Sequence, residues 1–205
     1  TFPISDSLIS HDGDANYTTV QEALDHLLNP DPVIESLTLN QYEYEKGFVV
    51  NSLTLNWTLN KEVATQAITG YGTVDAALRT KTLNGIGLTA DSKFVLTVTD
   101  AKGKTATANA SIKFLLSNYI GALANDAPSN AELLTLKSIL SKDANITNQY
   151  VNASGGKYLY IAVPTTYGLD RSRIMVGDRI FTDWTTSTIT LTNSNGYASS
   201  YTLFK

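Results

Sequence analysis

The sequence predicts an all-β protein, with two small β-sandwich domains behind an N-terminal arm and a short helix. Three observations predict this fold. Residues 92–116 read as two alternating apolar and polar runs about a polar turn at residues 100–104, which is the pattern of a β-hairpin. In this turn Asp100 can bond to its own backbone, and Gly103 can adopt a positive φ. Similar short runs recur along the chain, separated by Gly, Pro, Asn and Ser. The many Thr, Asn, Ser, Tyr and Val residues also favour strands and turns over helices.

Composition excludes several classes of function. The 205 residues carry 15 basic and 19 acidic side chains, without a basic cluster, so we expect no nucleic-acid partner. The chain has no cysteine, so neither disulfides nor thiolate metal sites hold the fold, as is typical of proteins made in a reducing compartment. No apolar run reaches the length of a membrane span, and residues 1–8 lack the pattern of a signal peptide. We therefore expect no membrane insertion.

Residues 1–32 are predicted to form an arm and a short helix. Thr19 and Glu22 have the spacing of a capping box, and the Asn-Pro-Asp-Pro run at residues 29–32 ends the helix. The apolar stripe of this helix needs a partner, because so short a helix is not stable alone in water. We predict that the stripe makes oligomer contacts, and its four large residues are Val20, Leu24, Leu27 and Leu28.

Residues 33–117 are predicted to form an immunoglobulin-like β-sandwich of about seven short strands. The predicted strands include residues 33–40, 45–50 and 51–60, and the hairpin of residues 92–116 closes the domain. Leu53, Leu55 and Trp57 alternate with polar residues, which predicts that Trp57 lies in the core between two sheets.

Residues 118–205 are predicted to form a smaller β-rich tip domain. Residues 117–130 lose alternation and collect Asn, Gly, Pro and Ser, which indicates a domain boundary. Ser129 or Asn130 then caps a predicted helix that runs through Leu140. Five or six strands follow, among them residues 146–153, and the last two form a hairpin about residues 193–196.

The sequence predicts no enzyme, no metal and no cofactor. Asp12, Asp14 and Asn16 have the spacing that begins a calcium loop, but Tyr17 and Ala23 stand where such a loop needs Gly and Glu. Both histidines fall within the first 26 residues, outside both predicted sandwiches, which argues against a catalytic triad. The carboxylates near residues 170–183 alternate with arginines and are interpreted as surface ion pairs rather than a glycosidase pair.

Aromatic residues are concentrated in the second domain. Exposed Tyr and Trp on a rigid sheet suit a protein interface or a sugar platform, whereas a core or intersubunit role is the alternative. The candidate surface-ligand contacts are Tyr158, Tyr160, Tyr167 and Trp184.

Taken in order, these segments resemble structural proteins of tailed-bacteriophage virions, of the head-fibre or tail-fibre type. The resemblance spans nearly the whole chain and rests on DGDANYTTVQEALDHLL, LTLNWTLNK, VLTVTDAKGKTATANASIKF, NYIGAL, GGKYLYIAVPTTYG and NGYASSYTLFK. It implies a short helix, an immunoglobulin-like domain and a compact β tip, without catalytic residues. It also implies a homotrimer on the virion that binds capsid or tail proteins and contacts a glycan on the host cell surface.

The leading hypothesis is therefore a non-enzymatic, trimeric fibre or capsid appendage of a phage virion. The alternative is a carbohydrate-binding or adhesion module of a bacterial surface protein. These hypotheses differ in oligomeric state, and a secreted adhesin is expected to have a signal peptide in its full gene. A glycan-cleaving enzyme would need two carboxylates that converge in a cleft.

Overall fold

The computed structural model describes residues 24, 27–144, 156–169, 175–176, 179–180 and 183–205. The predicted Val20 contact, the acidic loop at residues 12–16, both histidines and the strand expected at residues 146–153 lie outside these ranges.

The protein is an all-β protein with mostly antiparallel sheets, which confirms the predicted fold class. Helix is confined in the described residues to Leu24, Leu27 and Leu28, a single turn α1 (Asn130–Leu133) and the 3-10 turn Thr165–Tyr167. The strands are β1 (Ile34–Leu39), β2 (Glu43–Glu45), β3 (Val50–Leu59), β4 (Thr65–Ile68), β5 (Gly72–Val74), β6 (Thr80–Leu88), β7 (Ser92–Thr99), β8 (Thr105–Leu123), β9 (Lys137–Ser141), β10 (Tyr158–Pro164), β11 (Met175–Val176), β12 (Arg179–Ile180), β13 (Thr186–Thr192) and β14 (Ala198–Phe204).

The chain folds into two compact units whose segments interleave along the sequence. Unit one takes residues 1–40, 53–84 and 93–110, and unit two takes residues 41–52, 85–92 and 111–205. The predicted domains 33–117 and 118–205 do not coincide with these units. The expected boundary falls inside β8, which continues without interruption to Leu123.

Unit one has two sheets. One has the strand order β1-β3-β6, and in the other β7 lies between β4 and the first half of β8, with β5 beyond β4. Trp57 on β3 is 2% exposed, which confirms its predicted core position. Its indole Nε1 donates to Gln66 Oε1 on β4 at 3.0 Å, so this buried hydrogen bond joins the two sheets. The immunoglobulin-like character of this part stays a prediction.

The predicted hairpin of β7 and β8 is confirmed. Phe94, Leu96 and Val98 are buried, while their neighbours in sequence are partly exposed, as the alternation requires. The turn uses both expected devices: Asp100 accepts hydrogen bonds from the backbone N–H of Lys102 and Lys104, and Gly103 has a φ of +82°.

Unit two contains the strand order β13-β14-β10-β8, and β9 and the parallel strand β2 also pair with β8. The predicted closing hairpin is confirmed, and its register places Ile189 opposite Tyr201 and Leu191 opposite Ser199. Side chains of β10 alternate between two core clusters, so both of its faces are covered. Tyr160 and Ala162 belong to one cluster, Ile161 and Val163 to the other.

Three sequence-based assignments are corrected. The helix predicted over residues 131–140 is a single turn, Asn130–Leu133, and residues 137–141 form β9. A short apolar run fits either structure, and pairing with residues 116–120 of β8 decides for a strand here. Residues 117–123 are a strand rather than a linker. The sequence did not indicate this strand, because residues 117–121 are all buried and so lack the alternation that marks a half-exposed strand. Residues 45–50 contain a turn, since β2 ends at Glu45 and β3 begins at Val50.

Candidate functional site

The described leucines of the predicted oligomer contact are exposed. Leu24, Leu27 and Leu28 are helical, and their side chains are 45%, 70% and 69% exposed. The apolar stripe of the helix is therefore not covered by the rest of this chain at these three positions.

The segment between this helix and β1 is bound to unit one. Asn60 accepts from the Val33 N–H at 2.8 Å through Oδ1 and donates to the Asp31 carbonyl at 2.9 Å through Nδ2. Lys61 Nζ donates to the Pro30 carbonyl at 2.9 Å, and Lys104 forms an ion pair with Asp31. Residues 30–33 thus form a fixed joint, held from three side chains of the β body.

The four aromatic residues predicted to contact a surface ligand do not form one surface. Tyr160 is fully buried and its hydroxyl donates to the carbonyls of Asn125 and Asp126, so its predicted exposure is wrong. Tyr158 packs beside it, with the Lys205 ammonium 4.8 Å from the centre of its ring. Tyr167 and Trp184 are half-buried and pack against the other core cluster. The predicted platform is divided because the sheet is covered on both faces.

Two exposed aromatic residues of unit two, Phe48 and Tyr197, lie where two turns meet, and a third, Tyr42, lies just before β2. We call residues 45–49 and 193–197 the paired turns. Gly47, with a φ of +90°, lies so close to Tyr197 that a Cβ atom built on it would be 2.8 Å from the Tyr197 Cβ. Asn193 Nδ2 donates to the Lys46 carbonyl at 2.7 Å, and Asn195 Nδ2 donates to Glu45 Oε2 at 3.1 Å. Two hydrogen bonds and one close approach therefore hold the turns together.

Each turn is also closed within itself. In the second turn, Asn193 Oδ1 accepts from the backbone N–H of Asn195 at 3.1 Å and of Tyr197 at 2.9 Å. Gly196 has a φ of +78°, which glycine adopts without strain. In the first turn, the Phe48 N–H donates to the Glu45 carbonyl at 3.1 Å. The side chains that the turns present are therefore held on ordered backbone.

Glu45 connects the paired turns to the core. Its carboxylate accepts from the Ser117 hydroxyl at 2.8 Å, in addition to the bond from Asn195. Burial raises the pKa of Tyr119 to about 12, and the nearby Glu45 charge adds to this shift. Tyr119 therefore stays neutral at physiological pH.

Two of the side chains exposed at the paired turns are aromatic, and they lie beside the exposed Val49, Ser194 and Asn195. Phe48 is 43% exposed and its ring stacks on Tyr44 at 5.6 Å, while Tyr44 stacks on the buried Phe114 at 5.7 Å. Tyr197 is 39% exposed, and the Lys46 ammonium lies 5.7 Å from the centre of its ring. Rings on a fixed backbone, with amide and ammonium groups beside them, can stack on a ligand and form hydrogen bonds with it.

No group of three His, Asp or Glu side chains in the described ranges is placed to hold a metal ion. In the same ranges, none of the helices is long and apolar enough to span a membrane.

Comparisons with protein-family models, with curated proteins and with solved structures found no match to this chain.

Sequence reasoning missed Phe48 and Tyr197 because it assigned residues 45–50 to a strand and counted Tyr197 with its hairpin. One signal was present in the sequence. Phe48 and Val49 follow Lys46-Gly47 directly, which places two large apolar residues beside a turn, where polar residues are the rule.

Proposed function

We propose that this chain is a non-enzymatic structural protein of a tailed-phage virion, a homotrimeric head or tail fibre or capsid appendage. In this role it binds other virion proteins of the capsid or tail and contacts a host-surface glycan. The resemblance of its sequence segments, in their order along the chain, to virion fibre proteins supports the proposal, as does the all-β fold.

The exposure of the three leucines is the observation that carries this proposal. Full burial of a leucine side chain stabilises by about 1.5–3 kcal/mol, and at 45–70% exposure about half or more of this stabilisation is unused within the single chain. A short helix is also unstable alone in water. A second and a third copy of the helix would cover the stripe, and a closed ring of three copies satisfies every copy equally.

The fixed joint supports the same conclusion. Its bonds to Asn60, Lys61 and Lys104 fix the position of residues 30–33, which connect the helix to β1. In a symmetric assembly this fixed connection would lower the entropy lost when the helices associate, because the C-terminal end of each helix is already held in a defined position.

Light scattering on the full chain tests the trimer. We expect a molecular mass three times that of the chain for the unmodified protein, and a monomer for the double variant Leu24→Asp, Leu27→Asp, because burying charged side chains in the interface is unfavourable. Leu78→Asp is the matched control, since Leu78 is a similarly exposed leucine of the same unit but lies outside the helix. A monomeric unmodified chain would contradict the trimer, and a trimeric double variant would exclude the helix as its interface.

Mass spectrometry of virions tests the location. We expect peptides of this chain in purified particles of the phage that encodes it, at a multiple of three copies. Its absence from intact particles, when it is present in the lysate, would contradict the virion role.

A carbohydrate-binding or adhesion module of a bacterial surface protein is the second candidate. The exposed rings of Phe48 and Tyr197 favour it, because sugar-binding proteins use such rings irrespective of any virion. A monomeric chain, together with a signal peptide in the full gene, would favour this candidate over the virion protein.

A further inference from the structure

We propose that the paired turns are a saccharide-binding site in which sugar rings stack on Phe48 and on Tyr197. The inference rests on the part of the proposed function in which the chain contacts a glycan, and it replaces the aromatic platform expected on β10.

The first support is that the Phe48 ring is held in place before any ligand arrives. It stacks on Tyr44 with an angle of 13° between the ring planes, and Tyr44 stacks in turn on Phe114 of β8. Tyr44 and Phe114 are buried, whereas Phe48 is partly open to solvent. A fixed ring loses little side-chain entropy on binding, which favours even a weak ligand.

The second support is the size of the exposed apolar surface. An aromatic side chain covers about 150–250 Å², so two rings that are about 40% exposed offer roughly 120–200 Å². A standard protein–protein interface covers about 800 Å² on each partner, so the two rings and the neighbouring Val49, which is 45% exposed, form only a fraction of one. The area of the two rings matches one or two sugar rings.

The third support is the polar surroundings. Lys46 and Asn195 border the rings, and Asn195 is oriented by its bond to Glu45. A purely apolar ligand would remove these groups from water without giving them new hydrogen bonds, which is unfavourable. A saccharide has the complementary chemistry, because its C–H face can lie on the negative face of an aromatic ring while its hydroxyls bond to the ammonium and amide groups.

Titration of the full chain with a panel of neutral oligosaccharides, built from glucose, galactose, mannose and N-acetylhexosamines, tests the site. Saturation-transfer NMR detects the binding sugars, and calorimetry measures their affinity. We expect at least one binder, at least tenfold weaker affinity for Phe48→Ala and for Tyr197→Ala, and retained affinity for Phe48→Trp, whose larger ring keeps the stacking surface.

Tyr71→Ala is the matched control, because Tyr71 is an exposed aromatic residue of unit one and contacts Phe94. Thermal melting of every variant shows that it is folded. Absence of any binder for the unmodified chain would overturn the inference. A binder whose affinity is unchanged in Phe48→Ala and Tyr197→Ala, or is equally weakened in Tyr71→Ala, would also overturn it. The glycan would then bind at another part of the chain. Neither result affects the scattering and virion tests.

Discussion

Asp100 shows how one side chain can organise a turn and anchor it to a neighbouring segment. One carboxylate oxygen accepts from the backbone N–H of Lys102 and of Lys104, each at 2.9 Å, and the other accepts from Lys61 Nζ at 3.0 Å. Lys61 also donates to the Pro30 carbonyl in the joint before β1. A single buried carboxylate therefore contributes to both the β7–β8 hairpin and the N-terminal joint.

These bonds predict an acid-sensitive contribution to stability. The bond from Lys61 lowers the pKa of Asp100 below its ordinary value, and the backbone bonds add to this effect. Because the folded-state pKa is the lower one, acidification protonates Asp100 in the unfolded chain first. Its stabilisation is then complete above the ordinary Asp pKa of about 3.9 and is lost as the pH falls through the folded-state value.

We expect the melting temperature of the unmodified chain to fall more steeply below a pH of about 4 than that of Asp100→Asn. Calorimetry or circular dichroism between neutral and acidic pH measures both curves. Glu62→Gln is the control, since it removes one exposed negative charge next to Lys61 and is expected to keep the steep fall. Parallel curves for Asp100→Asn and the unmodified chain would show that the Asp100 bonds do not control acid stability.

The pairing of β8 with β9 is the contact that determines the structure of residues 137–141. Leu136, just before β9, is buried against Gly121 of β8, and a Cβ atom on Gly121 would lie 2.6 Å from Leu136 Cδ2. Glycine at residue 121 therefore makes room for the leucine, and the leucine fixes the entry into β9.

A double-mutant cycle tests this contact. Gly121→Val is expected to destabilise by about 1–3 kcal/mol through overpacking, and Leu136→Ala by about 2–5 kcal/mol through the space it leaves. The double variant should be less destabilised than the sum of the two, because the valine fills part of that space. Urea unfolding measures the three free energies. Additive effects would mean that the two side chains do not share the space.

For the whole molecule, interleaving has a consequence for folding. The chain crosses between the two units after residues 40, 52, 84, 92 and 110. Segments of the two units therefore alternate along the sequence. Strands β3, β6 and β8 each contribute residues to both units. Unfolding one unit would therefore disrupt strands of the other, which favours one cooperative transition.

We expect a single thermal transition, and the two tryptophans allow each unit to be observed separately. Trp184→Phe leaves Trp57 to report on unit one, and Trp57→Phe leaves Trp184 to report on unit two. In each variant, the fluorescence midpoint should coincide with the midpoint from far-UV circular dichroism. A clear separation of the midpoints would indicate two independently folding units and favour the linear division at residue 117.

The sequence by itself determined the features that depend on local periodicity and turn chemistry. It established the all-β class, both hairpins, the bonds of Asp100 with its own backbone and the core position of Trp57, because alternation and turn residues act over a few neighbouring positions. It also predicted an apolar stripe that needs a partner, of which Leu24, Leu27 and Leu28 are exposed in the structure.

Only the tertiary structure determined the features that depend on which strands pair with each other. Both faces of β10 are covered, so alternation alone did not show that Tyr160 is buried. Residues 117–121 are buried throughout and lack the period that marks a strand, and pairing with β8 selected strand over helix at residues 137–141. Phe48 and Tyr197 lie on turns that are about 150 residues apart in the sequence and are joined by hydrogen bonds, a proximity that leaves no local pattern in the sequence.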